Sequence, residues 1–168
     1  MADLTKEQHI ENINKVIKDV KYAMMTTITA DEKHLHACPM TTNKNELENG
    51  KIWFIGDRKS ETIKDLEKNP QVNLSYTSSD QKDFVSINGT AKLVNDKAKL
   101  DELWSPIYAA FYEKGKEDPN VQVICIECNG AQYWLSGNAV VDMFKMVSAA
   151  VQEGKTAENM GENHSVTF

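Results

Sequence analysis

The residues with the most chemistry to offer lie at 57–64: Asp57, Arg58, Lys59, Ser60, Thr62 and Lys64. An apolar stretch ending in Gly56 precedes them, and a helical pattern follows to Lys68. A chain that leaves a strand through polar residues and enters a helix builds an anion site. Backbone N–H groups are free at a helix start, and the helix dipole is positive there. Arg58 and Lys59 add positive charge, and Ser60 and Thr62 add hydroxyl donors. Phosphate is the anion that such turns commonly hold, so a phosphorylated cofactor is the first ligand to weigh. An ordinary capped helix start explains the same residues, with Ser60 or Asp57 as N-cap and the lysines in water.

Two further groups suggest metal or redox chemistry. His34, His36 and Cys38 share one face of a strand, where histidines two apart can share a metal ion. At about 3.3 Å per residue the first and third stand about 13 Å apart, too far for one ion on a straight strand, so no metal site is assigned. Cys125 and Cys128 spell C-x-x-C, which in redox proteins sits at a helix start. Here it falls inside VQVICIEC, a strand pattern that turns residues three apart to opposite faces. Three cysteines, an odd count, do not suggest a disulfide framework. No nucleophile–base motif, Walker loop or dinucleotide fingerprint occurs, and no side chain is assigned a catalytic role.

The elements that position these residues follow from periodicity. Thr5 and Gln8 form a capping box for a helix over Lys6 to Asp19, with Ile10, Ile13, Ile17 and Val20 on one face. Strands are expected at Tyr22 to Ala30 and His34 to Thr42. The polar segment after them closes on Asn49-Gly50, a hairpin signal. Lys51 to Gly56 is nearly continuously apolar and should be covered on both faces. A helix over Lys59 to Lys68 stops at Asn69-Pro70. Gln71 to Thr77 alternates, with Val72, Leu74 and Tyr76 inward. Phe84 to Val94 continues the alternation, and Gly89 inside it suggests a bulge or a close backbone approach. Asp96 opens a helix toward Phe111 that Pro106 must break or kink. Val121 to Cys128 and Ala131 to Ser136 are expected as a last hairpin around Asn129-Gly130. A helix over Asn138 to Val151 and a polar tail complete the chain. The sum is one domain over 1–168 of α+β class, mainly β: an N-terminal helix (1–20), an antiparallel barrel with helical insertions (21–137), and a C-terminal helix and tail (138–168).

The chain has 168 residues and a net charge of −6. The acidic excess argues against a nucleic-acid partner held through phosphate contacts. No apolar run of about 18 residues is present, so no membrane helix is expected. The polar start MADLTKEQ has no signal-peptide character, and a cytoplasmic location is expected.

Several short motifs, in order, resemble a known family. They are Pro39-Met40, Trp53-Phe54, Ser60, Asn69-Pro70-Gln71-Val72, Val85 to Ala91 (VSINGTA) and Trp104-Ser105-Pro106. They continue as Gly115 to Pro119 (GKEDP), Tyr133-Trp134 and Gly161-Glu162-Asn163. Together they resemble the pyridoxamine 5′-phosphate oxidase-like flavin-binding split barrels, in particular the general stress protein 26 branch. The resemblance implies a six-stranded antiparallel split barrel, a homodimer, and FMN, in some members FAD, at the dimer interface. It places the flavin ring near Met40, Thr41, Phe54 and Ile55, and the phosphate near Ser60 with Lys59, Thr62 and Lys64. Trp134 would approach from the partner subunit. An oxidoreductase activity carried by the flavin is implied as well. Two departures bear on this. Cys38 stands where the family has Arg before Pro-Met, and Thr62 where it has Lys two after the Ser. Each removes positive charge from the phosphate end, where charge-assisted contacts are the strong ones. Gly56 also stands where the family often has Thr. The alternative is a split barrel that has lost flavin and serves as a binding or interaction module.

Overall fold

The computed structural model describes residues 4–136 and 162–168. Helix α1 (Lys6–Val20) is followed by strands β1 (Tyr22–Ile28), β2 (Leu35–Thr41) and β3 (Lys51–Asp57), then helix α2 (Glu61–Lys68). Strands β4 (Gln71–Thr77) and β5 (Phe84–Val94), helix α3 (Lys97–Leu103), and strands β6 (Val121–Leu135) and β7 (Glu162–Thr167) complete the order. All strand pairs are antiparallel, in the order β2-β1-β4-β5-β6-β3, with β7 added beside β6. This is the expected α+β, mainly β, split barrel. The helix expected over 138–151 lies outside the described residues.

The longest strand, β6, organises the sheet. One edge pairs with β5 from Val123 to Trp134; the other pairs with β3 over its first half and with β7 over its second. Midway, Gly89 faces Cys128 and Asn88 faces Gly130, leaving Asn129 as an unpaired bulge residue. The inserted residue reverses the alternation. Ile124, Ile126 and Cys128 point into the core before it, and Ala131 and Tyr133 after it. The expected hairpin around Asn129-Gly130 is therefore not formed: one strand runs through, because β5 offers it an unbroken partner. Gly89 is required at this point. A Cβ there would stand 2.6 Å from Ile126 Cγ2 and 2.7 Å from the Glu127 carbonyl oxygen.

One core fills the barrel. It takes Met25, Leu74, Ile87, Ile126 and Phe54 from the strands, all with 0% exposure, and α1 closes one side with Ile13, Val16 and Ile17. The capping box at Thr5 and Gln8 forms as expected. A second cluster covers the outer face of β3, where Trp53 and Ile55 pack with Leu103, Tyr108, Tyr112 and Val123. The near-continuous apolar pattern of β3 thus does report burial on both faces. Asn43 pins this outer layer, donating to the Leu103 carbonyl at 2.8 Å and contacting the Tyr108 hydroxyl at 3.2 Å. The helix expected from Asp96 toward Phe111 ends at Leu103, and Pro106 instead begins a short 3₁₀ turn over Pro106–Ala110.

Candidate functional site

The edge strands β2 and β3 do not pair with each other, and the split of the barrel lies between them. Asn49-Gly50 makes its tight turn, with φ of 51° and 72°, but closes only the bridge between Glu48 and Lys51. β2 and β3 approach at Met40: a Cβ added to Gly56 would stand 3.5 Å from Met40 Cε and 3.3 Å from Ile124 Cδ1.

Helix α2 follows β3 in the chain, packs against β1 and β5, and reaches β2 through side chains, so it links the two sides of the split. Two side-chain pairs run antiparallel along this junction. Cys38 Sγ lies 3.1 Å from Thr62 Oγ1, and His36 Nδ1 lies 3.1 Å from Asp65 Oδ2. Asp65 is 2% exposed. Its carboxylate also accepts from Thr27 Oγ1 at 2.8 Å and from the Ala30 amide at 2.9 Å. Buried carboxylates persist where such donors satisfy them.

The turn into α2 is largely satisfied from within. Ser60 is the N-cap, accepting from the Ile63 amide at 3.3 Å. Asp57 Oδ1 accepts from the Lys59 amide at 2.8 Å, and the Asp57 carbonyl accepts from the Ser60 amide at 2.9 Å. The Arg58 amide donates to the Asn120 carbonyl at 2.7 Å. Among the described residues, Glu61 and Thr62 keep the turn's two unpartnered amides. The cations are occupied or remote. Arg58 Nη2 donates to Asn95 Oδ1 at 3.1 Å, and Lys64 pairs with Glu61 at 2.6 Å, which raises the Lys64 pKa. Lys59 is exposed.

Cys38 meets Thr62 where α2 reaches β2, Met40 lies beside Gly56 across the split, and Ser60 caps α2. Thr41, next to Met40, is exposed, and Lys59 and Lys64 stand in solvent at the helix start. Phe54 faces the barrel interior at 0% exposure, and Ile55 faces the second cluster at 8%. Trp134 is not brought to these residues within one chain. It lies on the far half of β6, opposite Phe84 and Asn163.

The pair His36–Asp65 is not foreseen from the sequence, where His36 stands beside His34 and Cys38 on one strand face. The signal is a match of periods: residues two apart on a strand meet residues three apart on a helix. It becomes readable only once α2 is known to lie against β2. Among the described residues no cluster of three or more His, Cys, Asp or Glu is placed to hold a metal ion. Cys125 and Cys128 are free thiols buried in β6. Burial raises the pKa of Cys125 and pushes that of Cys128 up to about 12, the reverse of what a redox thiol needs.

A family model described as pyridoxamine 5′-phosphate oxidase like matches residues 8–157. The chain belongs to this family. It is similar to the general stress FMN/FAD binding protein of Xanthomonas citri, at 32% identity and a TM-score of 0.68 over 80% of this chain and 93% of that one. The general stress protein 26 of Bacillus anthracis shares the fold, at 23% identity and a TM-score of 0.64, covering 74% of this chain and 92% of that one. Protein bli-3 of Neurospora crassa is 26% identical over 164 residues, 93% of this chain and 78% of the relative.

The family implies a flavin, and its two ends fare differently here. Among the described residues, the β2 edge that carries Met40 and Thr41 is unpaired. The α2 start does not fit the phosphate dianion of FMN: among the described residues it holds no buried cation, and its own Asp57 already accepts from the turn.

Proposed function

We propose that this protein is a flavin-binding general-stress-type split barrel, with the flavin ring in the split between β2 and β3 against Met40 and Thr41. A bound flavin supplies one- or two-electron redox chemistry, which makes the protein an oxidoreductase candidate. The chain's own residues contribute position: Met40 and Gly56 set the depth of the split, and α2 closes one end of it. The observation that carries the reading is this unpaired edge, bridged by a helix start, in a chain of the pyridoxamine oxidase-like family. FMN is the form the family implies, with FAD the variant. A homodimer that brings Trp134 of a second copy over the site completes the reading, and a solution mass of 18.9 kDa would contradict that part.

The test is a fluorescence titration of flavin with purified protein. Saturable binding is expected. None up to about millimolar flavin, an affinity of only about −4 kcal/mol, refutes the reading.

The contact between Cys38 and Thr62 favours a second reading, a split barrel without flavin that acts as a binding module. It predicts that Cys38→Arg with Thr62→Lys creates an affinity the native chain lacks. A yellow native protein refutes it.

A further inference from the structure

We infer that the turn entering α2 carries its own anion, the Asp57 carboxylate, so that the site takes a flavin by its ring and sugar chain and gains nothing from a terminal phosphate. This rests on the flavin reading above and concerns only the phosphate end. A helix start attracts an anion when its amides are free and its surroundings are positive. Both are met only in part: the amides of Glu61 and Thr62 are free, but the Lys59 amide is taken. Asp57 Oδ1 already accepts from the Lys59 amide at 2.8 Å, a charge-assisted bond that an incoming phosphate must displace or repel. The exposed side chains of 57–64 carry three cations and two anions, Asp65 being buried, so the segment offers a dianion only a small net attraction. Lys64 is neutralised by Glu61 at 2.6 Å, and Arg58 is turned to Asn95.

The remaining positions are filled by close-packed neutral groups. Thr62 is 5% exposed, with its hydroxyl on Cys38 Sγ. A phosphate approaching the free amides of Glu61 and Thr62 enters a turn that already carries the Asp57 carboxylate on the Lys59 amide. The like charges weaken what the two amides offer. Riboflavin, which lacks the phosphate, meets no such opposition.

The experiment is a pair of titrations of the full chain, with riboflavin and with FMN, read by flavin fluorescence at low ionic strength. The expected result is that FMN binds no more than threefold tighter than riboflavin. A larger FMN advantage overturns the inference while leaving the flavin reading intact. Binding of neither flavin overturns the flavin reading and this inference with it. The variant Asp57→Asn with Glu61→Gln alters two exposed side chains, and Asn can still accept from the Lys59 amide. It is expected to tighten FMN at least tenfold and leave riboflavin within twofold of the native value. An unchanged FMN affinity in a variant that still binds riboflavin overturns the assignment of Asp57 as the opposing charge.

Discussion

Replacing Asp65 by Ala should unlatch α2 from the barrel. In the native protein its carboxylate, 2% exposed, accepts from Thr27 Oγ1 at 2.8 Å and the Ala30 amide at 2.9 Å, and meets His36 Nδ1 at 3.1 Å. Hydrogen bonds to charged groups contribute about 1.5–3 kcal/mol each, and breaking a buried pair costs about 3–5 kcal/mol. Two contacts must be discounted. The His36 side chain is 36% exposed, so water replaces its partner. Thr27 Oγ1 has a second acceptor in the His36 carbonyl at 3.4 Å. The Ala30 amide and the cavity left by the carboxylate remain, and the sum is about 3 kcal/mol. With a urea slope of about 2 kcal/mol/M, the unfolding midpoint should fall by about 1.5 M. Asp65→Asn, which keeps the volume and one acceptor, should lose about half as much. A midpoint shift under about 0.5 M for the alanine variant would show that the carboxylate does not hold α2, and the reasoning about the bridge would fail with it.

Other perturbations probe the scaffold. Gly89→Val should cost at least about 2 kcal/mol, because its Cβ would lie 2.7 Å from the Glu127 carbonyl oxygen and backbone cannot yield cheaply; urea unfolding measures it. Thr5→Ala removes the α1 capping box and should cost about 1 kcal/mol on the same measure. Alkaline pH should destabilise the fold. Cys128 titrates at about 12 when folded against 9.0 ordinarily, so the native state holds its proton more tightly than the unfolded chain. Stability from this source is complete below about pH 9 and falls through 12, at up to about 1.4 kcal/mol per pH unit; Cys128→Ala should flatten the fall in melting temperature. Tyr112 and Tyr76, both raised by burial, steepen the same limb.

Much of the barrel is written in local pattern. β4 and β5 run over the expected residues, since each alternates strictly and has clear ends at Pro70 and at the turn after Thr77. β3 announces its two covers by being apolar at successive positions. The two Asn-Gly pairs show where such reading stops. At Asn49-Gly50 both residues adopt positive φ and the chain turns. At Asn129-Gly130 the same dipeptide stays inside a strand, because β5 pairs with β6 from Phe84↔Trp134 to Val94↔Val123 and holds it straight through the bulge. The decision belongs to a partner about forty residues away and not to the dipeptide. β7 escaped for a similar reason: the polar segment Glu162–Thr167 becomes a strand because the second half of β6 has a free edge to offer it. An edge strand facing solvent needs little apolar character.

The site was half legible on the same terms. The anion-type turn at 57–64 is local, and its N-cap forms at Ser60. What surrounds it depends on the strand order. β2 and β3 are near in sequence yet end on opposite edges, so nothing local foretells that α2 must close the gap between them. That closure shapes the chemistry. The split leaves an exposed strand edge, which proteins cover by packing a helix or loop over it. Here Cys38 with Thr62, and His36 with Asp65, supply the cover by direct side-chain contact. The first of these pairs occupies the positions where a phosphate-binding relative would keep a long cation. Thr62, at 5% exposure, has its hydroxyl on Cys38, so a long charged chain there must replace that contact. Closing the split tightly and holding a phosphate dianion thus compete for the same two residues. In this sequence closure prevails at both, and the Asp57 carboxylate completes the turn that a ligand would otherwise complete.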